Sequence, residues 1–271
     1  MQSDPMTSLN AWRDMTRSAS SALWRQASVT GAELARRTAL ARQPQPVGVN
    51  GPRLALLLRE LGTMASVRRS GAFAAGPAIS PQPVMLLPGF GAHPLRMRRM
   101  RTALAAAGHS AHDWGQGFNM GPSEALFALL IGRVAALAEA EQAPVTLIGW
   151  SLGGLYAREI AKLVPDHVAR VITMGTPFSG DRRANNAWRA YQFVTGHPVD
   201  APPIAADFSA KPPVPTIALW SPRDGVVSPR SACGRPGERD RAVAMRCSHL
   251  GFASDPAVIA QVLRILDEGE N

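Results

Sequence analysis

Apolar residues recur along this chain at two different spacings, and the change from one to the other divides it. Up to about residue 80 no period-two alternation is present. Helical spacing appears instead around residues 19 to 41 and again around 53 to 69, separated by the breaker-rich Gln43-Pro44-Gln45-Pro46-Val47-Gly48. In the second stretch Leu54, Leu57, Leu58, Leu61, Met64 and Val67 form one apolar face, with Arg53, Arg59 and Glu60 off it. Such a stripe is expected to pack on the parent domain; docking on a membrane or a partner is the other reading. Gly71 to Pro83 reads as a linker.

From residue 84 onward short apolar runs alternate with helix-period segments. The runs are Val84 to Leu87, His109 to Asp113, Val145 to Gly149, Val168 to Met174, Val214 to Trp220 and Ala242 to Cys247; helical segments fall near 94 to 107, 122 to 140, 153 to 164 and 256 to 267. Continuous apolar strands between helices are what a parallel sheet covered on both faces requires. The pattern predicts an α/β fold: an open, mostly parallel, twisted sheet of about six strands with helices on both faces, preceded by a helical N-terminal segment. The division is residues 1–83, basic segment and linker, and 84–271, the α/β domain. Phe178 to Pro213 is too long for an ordinary connection and carries Trp188, Tyr191 and Phe193, so it is expected to act as a lid-like insertion. In such sheets ligands sit beyond the carboxyl ends of the strands.

Composition sharpens this picture in places. With 271 residues, 46% of them hydrophobic, the chain can bury one sizeable core. No apolar run approaches the roughly 18 residues that span a bilayer, and the first residues lack the basic-then-apolar pattern of a secretory signal. A cytoplasmic or peripheral-membrane protein is expected, although a leader already removed would leave the same sequence. The net charge of +9 comes almost wholly from arginine, since only Lys162 and Lys211 are lysines. Residues 1 to 80 hold ten Arg against four acids, which makes that segment the candidate for peripheral contact with an acidic membrane surface. No nucleic-acid-binding motif accompanies the charge, so no nucleic-acid partner is expected. Cys233 and Cys247 lack metal-ligand spacing; they read as a disulfide bracing the loop between them or as two thiols in a reducing compartment. No metal site is expected.

The chemistry lies after the runs. Gly149-Trp150-Ser151-Leu152-Gly153 follows Val145-Thr146-Leu147-Ile148 and precedes the helical Leu155 to Ala161, the strand, sharp turn and helix that a nucleophile elbow needs. Ser151 is therefore the candidate nucleophile, in place of an ordinary serine N-cap. A serine hydroxyl needs a base, and His249 follows the last run and precedes the last helix. Asp224, in Ser221-Pro222-Arg223-Asp224-Gly225, follows the run ending at Trp220 and is the candidate acid. An oxyanion would need two converging N–H donors. Leu152, directly after the nucleophile, and Phe90, in Leu87-Pro88-Gly89-Phe90-Gly91, are the candidates. Trp150 and Phe252 are expected beside the substrate.

With these residues placed, the chain resembles the bacterial lipase and esterase branch of the α/β-hydrolase superfamily, over about residues 84 to 267. The motifs that carry the resemblance are Pro88-Gly89-Phe90-Gly91, Gly149-Trp150-Ser151-Leu152-Gly153-Gly154, Asp224-Gly225 and Ser248-His249-Leu250-Gly251. Asp113-Trp114-Gly115, Asn119-Met120-Gly121-Pro122 and Met174-Gly175-Thr176-Pro177-Phe178 are also familiar from small bacterial members and read as loops of the site rim. The resemblance implies a carboxylic-ester hydrolase acting on a small-molecule or lipid ester, with Ser151, Asp224 and His249 as its triad and no cofactor. A thioesterase or acyltransferase of the same fold, and a non-catalytic binding protein, are the alternatives. Many family members begin with a β-hairpin, whereas this chain begins with helical, basic sequence.

Overall fold

A computed structural model describes residues 31–66 and 76–268. The helical stretch expected before residue 31, its counterpart past Ser66, and residues 71–75 of the linker lie outside the described residues. The described chain runs α1 (Gly31–Ala41), α2 (Leu54–Ser66), β1 (Pro83–Leu87), α3 (Arg98–Ala107), β2 (Ser110–Asp113), α4 (Glu124–Glu141), β3 (Val145–Trp150), α5 (Leu152–Leu163), β4 (Val168–Met174), α6 (Trp188–Thr195), β5 (Thr216–Trp220), α7 (Pro229–Cys233), β6 (Arg241–Ala244) and α8 (Pro256–Asp267). The strands form one six-stranded sheet in the order β2-β1-β3-β4-β5-β6, and every pairing is parallel. The fold expected from the apolar pattern is the fold observed.

Alternate residues of one strand point to opposite faces, and here both faces are covered. Val84, Leu86, Ile148 and Ile172 pack with Met100 and Leu104 of α3 and Val258, Val262 and Ile265 of α8. Met85, Leu87, Leu147 and Val171 pack on the other face with Leu130 and Val134 of α4 and Tyr156 and Ile160 of α5. A strand buried on both sides does not alternate with solvent-facing polar positions, which is why β1 reads as a continuous apolar run and β3 is interrupted only by the buried Thr146.

Where strands end differs from the sequence expectation at the sites that matter. The last run was expected to continue to Cys247, but β6 stops at Ala244. One further backbone bond, Met245 N–H to Trp220 O at 2.7 Å, follows, and the Ser221 hydroxyl then donates to Cys247 O at 2.6 Å. The chain is thus drawn off the sheet toward the loop after β5. The 178–213 insertion, expected as a lid, contains α6.

The N-terminal segment is laid across the insertion and the carboxyl edge of the sheet. Arg37 of α1 donates to Val194 O at 2.6 Å, and the Gln192 amide donates to Leu40 O at 2.6 Å. The backbone of α2 lies so close to Gly225 that a Cβ there would stand 2.5 Å from the Leu56 carbonyl carbon. Its orientation departs from the expected stripe at the first turns: Leu54 and Leu58 are 71% and 67% exposed and Leu57 is half-buried, whereas Glu60, expected off the buried face, is only 3% exposed. The side chains of Leu61, Met64 and Val67 lie outside the described residues. Periodicity proposed a leucine face for burial, but the surface beneath α2 offers backbone N–H donors. A carboxylate satisfies those donors, and scattered leucines are tolerated in solvent.

The disulfide reading is also corrected. Both cysteines are free: Cys247 is buried in the core beside α8, while Cys233 is half-buried at the end of α7. Burial first, then the charges of Asp255, Asp224 and Glu60, pushes the Cys247 thiol well above its ordinary range. Ellman's reagent should therefore titrate Cys233 readily in the native protein and Cys247 only after unfolding, with no change in the melting temperature on adding reductant.

Close packing of the β3–α5 turn gives a second test. A Cβ on Gly153 would overlap the Leu87 and Pro88 backbone, whereas Gly132, on the exposed side of α4, has nothing within 4 Å. Gly153→Ala should lower unfolding free energy by about 1–3 kcal/mol in a denaturant titration, and Gly132→Ala should raise it by about 0.5–1 kcal/mol.

Candidate active site

Between β3 and α5 the chain turns within one residue. Ser151 has φ 54° and ψ −120°, a conformation that costs a side-chain-bearing residue about 1–3 kcal/mol. Its N–H is held by Met174 O at 2.8 Å, and its own carbonyl accepts from Gly154 N–H at 3.0 Å. Ser151 thus stands at the head of α5, whose first backbone N–H groups and dipole favour negative charge.

Two other loops at the same sheet edge bring His249 and Asp224 together. His249 Nδ1 lies 2.8 Å from Asp224 Oδ2, and the two side chains are 5% and 1% exposed. With the carboxylate as acceptor the proton sits on Nδ1, leaving Nε2 with its lone pair. The other Asp224 oxygen accepts from the Val226 and Val227 N–H groups, both at 2.8 Å, which fixes the carboxylate plane. Burial alone would lower the imidazole pKa, but the Asp224 charge and hydrogen bond, joined by the Glu60 charge, outweigh it and hold His249 above its ordinary value.

Trp150 and Phe252, expected beside the substrate, are placed against His249 instead. The indole Nε1 donates to His249 O at 3.1 Å, with the rings 5.8 Å apart, and the Phe252 ring meets the imidazole edge-on at 6.5 Å. Both are buried in the core between the sheet and α8. They fix the imidazole from behind rather than shape a pocket wall.

Phe90 and Leu152, expected as oxyanion donors, share a cavity with Ser151, and a Cβ on Gly89 would stand 3.1 Å from the Ser151 Cβ. Among the described residues neither the Phe90 N–H nor the Leu152 N–H donates a hydrogen bond. The loop carrying Phe90 is held by Asn119, whose role beyond the rim motif was not apparent from sequence. The fully buried Asn119 amide donates to Pro88 O at 2.8 Å, and its backbone exchanges bonds with Gly91 N–H and Ala92 O at 2.7 and 3.0 Å. Its Oδ1 accepts from the Tyr156 hydroxyl at 3.2 Å, linking the loop to α5.

The cavity is walled largely by the insertion: Trp188, Tyr191, Ile204 and Phe208 line it, together with Leu155 and Val227. Arg182 fastens this wall by donating to Val199, Asp200 and Ala206 carbonyls while lying 4.6 Å above the Phe208 ring. Glu60 was the other residue missed. It approaches the same loops from α2, and an acid between leucines carried no sequence signal for it. Among the described residues no cluster of His, Cys, Asp or Glu could hold a metal ion, and no helix is long and apolar enough to cross a membrane.

No protein-family model matches the sequence, and no curated protein matches it. Solved structures do. Rv0554 from Mycobacterium tuberculosis superposes with a TM-score of 0.52 at 18% identity, covering 71% of this chain and 92% of that one. A chain described under the metagenome-derived lipolytic enzymes LipS and LipT gives 0.50 at 14% identity, over 71% and 96%. Aspergillus fumigatus lipase B gives 0.51 at 15% identity, over 70% of this chain but 53% of its own length. At these identities the likeness concerns the backbone, and together with the parallel sheet and the turn at Ser151 it establishes that the chain has the α/β-hydrolase fold.

Proposed function

We propose that this chain is a serine carboxylic-ester hydrolase with Ser151 as nucleophile, His249 as general base and Asp224 as the residue that orients it. The observation that carries this reading is the strained Ser151 at the head of α5, on an apolar cavity, at the sheet edge that also holds the buried Asp224–His249 pair. His249 takes the Ser151 proton as the hydroxyl oxygen attacks the ester carbonyl. The Phe90 and Leu152 N–H groups receive the developing oxyanion. His249 then returns the proton to the departing alcohol, leaving an acyl-enzyme, and next activates the water that releases the acid. Asp224 holds the tautomer and stabilises the imidazolium formed at each step. The lipolytic-enzyme and lipase names printed for two of these structures agree with that chemistry.

The cavity wall supports an apolar acyl group, since Trp188, Tyr191, Ile204, Phe208 and Val227 offer surface to hydrocarbon. A small-molecule or lipid ester fits that chemistry. Over p-nitrophenyl esters of about two to sixteen carbons, kcat/KM should rise beyond acetyl; a sharp acetyl optimum would remove the lipid-ester version.

Ser151→Ala should lower turnover by about 10⁵–10⁶-fold and abolish labelling by a fluorophosphonate, with the melting temperature retained because alanine keeps the Cβ and the same backbone turn. A variant that kept full ester turnover would overturn the reading. Because His249 must be neutral to accept the proton and its pKa is held above the ordinary 6.5, kcat/KM should climb with pH through an apparent pKa above that value.

A further inference from the structure

Resting on that reading of the site, we infer that Glu60, on the N-terminal helix α2, is a positioning residue for catalysis: its carboxylate holds the Asp224 loop and the His249 loop in their working relation. One carboxylate oxygen accepts from the His249 N–H at 2.6 Å and from the Gly225 N–H at 3.0 Å; the other accepts from the Leu250 N–H at 3.0 Å. A single side chain thus takes the backbone of the proposed base, of the residue after it, and of the residue after the proposed acid.

These bonds need to come from outside both loops. The His249 and Leu250 N–H groups lie where a short 3₁₀ turn, Leu250–Ala253, begins, and helix starts leave such donors without intrahelical partners. Buried and unanswered, each would cost about 1–3 kcal/mol and favour another loop path. The fit is built from both sides, because Gly225 lets the α2 backbone approach to contact distance at Leu56. Glu60 is 3% exposed, so its charge acts across little water.

The charge also reaches the imidazole. From the loop after β5 His249 faces Asp224, and from α2 it faces Glu60; β3 supplies the neutral Trp150 and the following turn the neutral Phe252. Two residues away, burial and then the charges of Asp255, Asp224 and Glu60 keep the Cys247 thiol protonated. Both carboxylates favour the imidazolium that forms while His249 carries the Ser151 proton. The N-terminal segment is accordingly part of the catalytic apparatus, and α2 must be docked for His249 and Asp224 to be aligned.

Glu60→Gln in the full chain, assayed on p-nitrophenyl butyrate, separates positioning from bracing. It keeps one acceptor oxygen, loses the charge, and sets an NH₂ against the Leu250 N–H. The expected outcome is kcat lower by about ten-fold or more with KM changed less than about two-fold, and the acid limb of the kcat/KM profile moved down by roughly half a pH unit. A folded variant with unchanged kcat and acid limb would overturn the inference, as would a loss of kcat with the limb unmoved. Should the variant not fold, native-state hydrogen exchange on the unaltered chain decides. The Gly225, His249 and Leu250 amides should open together with α2 at one free energy, and independent opening refutes the coupling. If the unaltered chain turns over no ester, the proposed function falls while the exchange result still reads the coupling. If it does, and Ser151→Ala is dead but Glu60→Gln is normal, this inference alone falls.

Discussion

Two buried carboxylates at the carboxyl edge of the sheet set the terms for everything around them. Removing a carboxylate from water costs several kcal/mol unless hydrogen bonds replace its hydration. Here backbone amides do so: Val226 and Val227 for Asp224, and Gly225, His249 and Leu250 for Glu60. Those amides belong to two loops far apart in the chain, so satisfying the charges also fixes the loops to one another. The imidazole between them is then oriented by Asp224 in front and by Trp150 and Phe252 behind. Its geometry follows from charge that must be answered and rings that must be packed.

The parallel sheet makes this possible by ending all its strands at one edge. Neighbouring carboxyl ends deliver separate loops within a few ångströms of each other, while the strands stay rigid between two apolar layers. The strain at Ser151 is carried by that rigidity: Gly153 packs against the end of β1, and the Ser151 N–H is tied to Met174 at the end of β4. A mobile edge would relax the turn. Asn119 extends the same logic to the Phe90 loop, fastening it to α5 through Tyr156, so that both proposed oxyanion donors are referred to one helix.

The outer shell has a different character. The insertion and the N-terminal helices are joined by polar contacts, Arg37 and Gln192 with opposing carbonyls and Trp188 with Gln45, over a cavity wall that is itself largely apolar. Such layers open at lower free energy than a sheet core.

How much was legible follows from the range of the interactions. Strand–helix alternation is local, and β1, β3, β4, α5 and α8 came out near their observed bounds because apolar runs and helix periods need only near neighbours. The Gly149–Gly153 turn was readable for the same reason, and Asp224 and His249 were placed only by the runs they follow in the chain. The end of β6 was not readable, because the Ser221–Cys247 bond that draws the chain off the sheet joins distant residues. Nor were the free cysteines or the placing of Trp150 and Phe252, which depend on how the last loop packs. Glu60 is the sharpest case: by period it belonged off the buried face of its helix, yet its partners stand 165, 189 and 190 residues away. The sequence by itself determined which residues could do chemistry and which elements would carry them. Only the tertiary structure decided that an N-terminal carboxylate turns inward, because the amides needing an acceptor exist as a cluster only once the sheet has brought the two loops together.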